Sequence, residues 1–120
     1  MYDERIMRAN SESEKLGGVI VSKLRPGTRI TARTRNSIYE FTVIEGNRIW
    51  VRGGKHFPEF VEAYFQGSVW DGSTSLKLHW IGFDMQMEIV RGNRMVRTTP
   101  VENVSVHGLD WSYTLDLPSK

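Results

Sequence analysis

Three side chains in this sequence have the chemistry of a metal ligand or a proton shuttle: His56, His79 and His107. No two stand at His-x-His or His-Glu-x-x-His spacing, which would place two ligands on one element. A metal site would need residues gathered from distant segments, and none is assigned. The chain has no cysteine. Disulfides, thiolate metal centres and cysteine nucleophiles are therefore excluded, and a cytoplasmic setting is expected. Carboxylates are few and committed: Glu40 and Glu88 stand among arginines, while Asp71 and Asp84 fall at turn positions. No Gly-x-Ser-x-Gly elbow, phosphate-binding loop or dinucleotide fingerprint occurs. No catalytic residue and no cofactor is assigned. An enzyme of this sequence would need a site assembled across loops, around His56 or His79. His79 is expected opposite Tyr64 with Gln86 beside it, as a surface cross-strand cluster.

The segment richest in binding chemistry is Arg52-Gly-Gly-Lys-His-Phe57. It carries two cations, a histidine and an aromatic ring on a glycine-broken loop, and loops on rigid β scaffolds often carry function. Trp50 precedes it by two positions. From Lys23 to Lys55 there are eight basic residues and two acids, although the whole chain carries only +2. A basic segment with an interleaved aromatic suits an anionic partner such as single-stranded nucleic acid. The candidate binding surface is Arg33, Trp50, Arg52, Lys55, His56 and Phe57.

The elements that must position these residues read as strands. From Arg29 onward, short apolar/polar alternations rich in Val, Ile, Thr and aromatics are cut by glycine-containing pairs. A loop at Asn36-Ser37 pairs Ala32 with Phe41 and Arg33 with Glu40. The tripeptide Gly-Asn-Arg occurs twice, at Gly46 and Gly92. Keeping the faces unmixed requires a three-residue loop at the first copy, pairing Val43 with Ile49 and Glu40 with Arg52. The second copy accepts a two-residue loop pairing Ile89 with Val96. Turns at Asp71-Gly72 and Gly82-Phe83 then pair Ala63 with Trp80 and Leu78 with Met87. Together they give one inner face: Ala63, Phe65, Leu76, Leu78, Trp80, Met85, Met87, Ile89 and Val96. Outer ladders Arg33–Glu40–Arg52 and Lys77–Glu88–Arg97 follow. Pro100 should end its strand or mark an edge, with a further short strand in Val101–His107.

The expected fold is all-β: one domain of two antiparallel meanders, about 28–53 and 60–100, packed as a sandwich or a small, partly open barrel. Residues 1–16 form a flexible or weakly helical arm, 17–108 the β domain and 109–120 a C-terminal strand or tail. That tail alternates, placing Leu109, Trp111, Tyr113, Leu115 and Leu117 on one side. Such a face must close its own sheet or dock on a second copy. No apolar run approaches the roughly 20 residues of a membrane helix, and no secretory leader pattern opens the chain. The opening strands, Leu24–Ile44, resemble the first strands of Sm-like and SH3-like small barrels, which implies a bent sheet starting after the Gly27 turn. The RNA-binding residues of the Sm family have no matching positions. The expected function is a non-catalytic domain that binds protein, possibly itself. The alternative is nucleic-acid binding through the basic first sheet.

Overall fold

The computed structural model describes residues 17–116 except 71 and 74. The expected arm at 1–16, Asp71 and Leu117 lie outside the described residues. The chain runs β1 (Gly18–Ile20), a 3-10 turn (Val21–Lys23), β2 (Arg29–Thr34), β3 (Ile38–Glu45), β4 (Arg48–Gly53) and β5 (Phe57–Val69). It continues through β6 (Leu76–Leu78), β7 (Trp80–Gly82), β8 (Gln86–Arg91), β9 (Arg94–His107) and β10 (Ser112–Asp116). The fold is all-β, as the alternation and turn pattern require. No helix among the described residues is long and apolar enough to cross a membrane.

Strand pairing closes on itself. β2 pairs β3, β3 pairs β4 and β4 pairs β5. β5 also pairs β8, β8 pairs β9, and β9 returns to β2. The sheet is therefore a ring with apolar side chains inside. Ile30, Phe41, Ile49, Val51, Phe65, Met87, Ile89, Val104 and Val106 are all fully buried within it. The Phe41 and Phe65 rings meet at 5.9 Å between centroids. A barrel filled by side chains has no internal room for a ligand, so binding must occur on its outside or at its ends. β1 and β7 form a separate ribbon, adding Val19 and Ile81 to the core.

The first meander matches expectation in its faces, with one change of register. Ala32 pairs Tyr39 and Ile30 pairs Phe41, two positions from the expected pairing. The Thr34–Ser37 segment closes the turn through Thr34 N–H donating to Ser37 O at 2.8 Å. A shift of two keeps every side chain on its face, so the core survives; the Arg33–Glu40 pairing does not, since Arg33 lies opposite Ile38. Across β3 and β4 the expected pairs hold: Val43 with Ile49, Thr42 with Trp50, Glu40 with Arg52.

The two Gly-Asn-Arg turns are more alike than expected. Glu45 pairs Arg48 and Arg91 pairs Arg94, so each loop is Gly-Asn. Gly46 and Gly92 have φ of +58° and +62°, a region open to glycine at little cost. What distinguishes the first copy is a bulge at Ile44, where the ladder shifts between Val43 and Glu45. The extra residue keeps the faces in phase.

The second meander is replaced. β6 and β8 do not pair each other; both pair β5. The Ala63–Trp80 and Leu78–Met87 pairings are therefore absent. The chain leaves the sheet at His79, whose φ is +60°, and β7 crosses to β1. The later turn centres on Phe83-Asp84, with Met85 N–H donating to Gly82 O at 3.3 Å. Leu78, expected inside, is 64% exposed, and Leu76 is half-buried. Ala63, Phe65, Trp80, Met85, Met87 and Ile89 are buried as expected, with Val96 packed at the core's margin. Pro100 neither ends its strand nor lies at an outer edge. β9 runs through it, and both neighbouring ladders shift beside it, between Arg33 and Thr34 and between Gln86 and Glu88. A residue without an N–H is tolerated where pairing is already irregular.

Candidate functional site

The alternation that fills the barrel also sends every second side chain outward. On β4 these are Arg48, Trp50 and Arg52; on β5, Phe60, Glu62 and Tyr64. Trp50 lies opposite Glu62 and Arg48 opposite Tyr64. Trp50, Phe60 and Tyr64 are 46%, 42% and 47% exposed. Sequence reasoning found only Trp50, because the β5 pairing that brings Phe60 and Tyr64 alongside was not legible. The arginines between them are tied down. Arg52 Nη2 donates to Glu40 Oε1 at 2.9 Å, and its guanidinium lies 4.5 Å from the centre of the Phe60 ring. Arg48 Nε stands 3.8 Å from Glu62 Oε1. Farther along, Arg29 and Arg33 on β2 have no ion pair among the described residues. A shallow depression of about 220 Å³ lies between Arg29, Thr31, Glu40, Thr42 and Phe60, with His107 at its margin.

The expected site residues therefore divide. Trp50 and Arg52 belong to this outer face, whereas Arg33 lies on β2 between Ile38 and Asn103, with β3 between it and β4. Lys55 and His56 are exposed on the β4–β5 loop, at the end of the barrel. Phe57 is only 4% exposed; its ring is a core residue, since an apolar side chain at the first inward position of β5 is drawn into the barrel. Two depressions flank this loop. One, about 300 Å³, is lined by Asn36, Ser37, Tyr39, Lys55, His56 and Arg97, with Thr98 and Thr99. The other, about 220 Å³, is lined by His56, Phe57, Arg91, Arg94, Met95 and Val96. Gly54 fixes the loop: its φ is +61°, and a β-carbon there would stand 2.7 Å from the Tyr39 hydroxyl. Burial raises the Tyr39 phenol above its ordinary value, and a hydrogen bond with Ser37 offsets part of that.

The histidines do not converge. His79 sits in a tight turn, its N–H donating to Gln66 O at 3.0 Å and its carbonyl accepting from Val21 N–H at 2.8 Å. It does not face Tyr64, whose partners are Arg48 and Val90, so the expected His79–Tyr64–Gln86 cluster is not formed. His107 pairs Arg29 on one side and Ser112 on the other. No group of three or more histidine and carboxylate side chains among the described residues is arranged to hold a metal. In the second outer ladder Arg97 Nε donates to Glu88 Oε2 at 3.0 Å. Lys77 is not opposite Glu88; its ammonium lies 4.7 Å from the centre of the Trp80 ring.

The C-terminal strand joins the chain's own sheet as an end strand beside β9 and does not close it, and Trp111 and Tyr113 stay 46% and 41% exposed. Tyr113 pairs Val106 and Leu115 pairs Val104; Leu115 packs against the core. Trp111 and Tyr113 stack at 5.8 Å with 12° between ring planes. Leu109, expected on the same face, is fully exposed in the Gly108–Trp111 turn. Between that turn and the Arg25–Arg29 segment runs an open groove of about 610 Å³. No protein family, curated protein or solved structure matches the chain.

Proposed function

We propose that the chain is a non-catalytic binding domain for a protein partner, with the outer β4–β5 face as its working surface. The observation that carries this reading is the row Trp50, Phe60 and Tyr64, all exposed on paired strands and interleaved with Arg48 and Arg52. Aromatics and arginine are the residues that dominate protein interfaces once desolvated. Three large rings left half in water on one face of a filled barrel add little to its core. The mixed charges of Arg48–Glu62 and Arg52–Glu40 suit a protein surface, which offers both signs, better than a uniform polyanion. A photo-crosslinking residue in place of Phe60, in the cells that make the protein, should give discrete protein adducts. The same residue in place of Glu102, exposed on β9, should not. Equal adduct patterns from both positions, or none from either, would refute the proposal.

The same row supports a second reading. Three rings offer stacking faces for successive bases, with Arg29 across β3 from Trp50, beyond Thr42, and outside any ion pair among the described residues. Binding of a single-stranded oligonucleotide would then weaken steeply with salt and be lost in Trp50→Ala. Oligonucleotide binding that is insensitive to Trp50→Ala removes this reading.

A further inference from the structure

We infer that the barrel end formed by the β2–β3, β4–β5 and β8–β9 connections is a separate binding site, and that its ligand carries two adjacent phosphate groups. Two depressions adjoin there, about 300 and 220 Å³, sharing His56 and Val96. Lys55 and Arg97 line the larger and Arg91 and Arg94 the smaller, with His56 common to both. No carboxylate lines either one. Arg97 is held by Glu88, but Lys55, Arg91 and Arg94 have no ion pair among the described residues.

Cations in a single turn are ordinary. Here they converge from connections remote in sequence, on a chain whose whole net charge is +2. The outer face makes the contrast, since its Arg48 and Arg52 are already engaged by glutamates. An arginine fork suits phosphate oxygens in particular. The polar lining of the larger depression, with Asn36 and Ser37 at its rim, adds neutral groups beside the charges. Lys55 on one side of the His56–Val96 saddle and Arg91 and Arg94 on the other, none of them ion-paired among the described residues, suit two linked phosphates better than one. The loop is also held in place, because Gly54 lies directly against the buried Tyr39.

Free diphosphates and nucleic-acid backbones share this chemistry, and one experiment distinguishes them. Inorganic pyrophosphate, inorganic phosphate and a thymidine decamer without terminal phosphates are titrated calorimetrically at low salt, ~50 mM. The proteins are the wild-type chain, the Arg91→Gln/Arg94→Gln variant and, as control, Lys23→Gln, exposed in the 3-10 turn away from both surfaces. Pyrophosphate should bind the wild type roughly ten-fold tighter than phosphate, and the double variant should lose about ten-fold or more. The control should be unchanged. Unaltered circular dichroism and urea midpoint would show that the double variant is folded. Competition by the decamer, lost in the double variant, identifies the phosphates as those of a strand; no competition identifies a free diphosphate. Absence of pyrophosphate binding to the wild type, or equal binding by the folded double variant, overturns the inference. Neither result depends on the outer face, whose failure would appear only in the Phe60 crosslink.

Discussion

Replacing Gly54 by alanine should destabilise the protein through two separable effects. The first is backbone strain: φ is +61°, and a left-handed residue bearing a β-carbon costs about 1–2 kcal/mol. The second is a collision. The new methyl group would stand 2.7 Å from the Tyr39 hydroxyl and 3.1 Å from its ring carbon Cζ. Tyr39 is 6% exposed and packed in the core, so its ring cannot swing away. Forcing a shift in a packed interior costs about 1–3 kcal/mol. Together these give about 2–5 kcal/mol, or a fall of roughly 1.5–3 M in the urea midpoint for a domain of this size. Gly46 is the control. Its φ is +58°, and a methyl group there would meet nothing within 4 Å, so Gly46→Ala should show the strain alone, about 1–2 kcal/mol. Tyr39→Phe removes the hydroxyl that collides, so the Gly54→Ala penalty should shrink by about 1 kcal/mol in that background, a coupling read from the double-mutant cycle. The reasoning is refuted if Gly54→Ala costs no more than Gly46→Ala, or if its penalty is the same with Phe at position 39.

Three further outcomes follow from described contacts. Because burial raises the Tyr39 phenol, its contribution to stability is fully present below the ordinary tyrosine value near 10 and is lost as pH climbs beyond it; urea midpoints of the wild type should fall more steeply than those of Tyr39→Phe above that point. The Arg52–Glu40 pair is exposed, so Glu40→Gln should cost under about 1 kcal/mol, and less at high salt, measured by urea unfolding at two ionic strengths. A chain ending at Gly108 loses Leu115 from the core margin and the cover of β10, and its thermal midpoint should fall by an amount equivalent to about 2 kcal/mol; an unchanged midpoint would show that β10 adds nothing to the barrel.

The first meander is readable from sequence because its turns are short and its face pattern has period two. The register difference at Thr34–Ser37 is invisible for the same reason: a slip of two positions leaves the apolar pattern intact. The second half misleads because strong local turn signals at Asp71-Gly72 and Gly82-Phe83 imply neighbours paired in order. Nothing in a turn says that the intervening segment will cross to β1 and leave β5 to β8. That long-range pairing also decides the candidate site. Trp50 and the Lys55-His56 loop can be named from residue type, whereas Phe60, Tyr64, Arg91 and Arg94 acquire meaning only once β4, β5, β8 and β9 are neighbours.

Closure of the ring also has a consequence for how the chain folds. The seam between β2 and β9 joins residues far apart in sequence, as the Thr99–Thr34 hydroxyl contact shows with a separation of 65 residues. Pairing at such distance is slow relative to a local meander. β2, β3 and β4 can assemble early, but during that interval one side of β2 is an open edge, the kind of surface that recruits other chains. The edge carries Arg29 and Arg33, with Arg35 just beyond, and like charges on a second copy repel it. Charge of one sign along an open edge disfavours pairing with a second copy until β9 covers it.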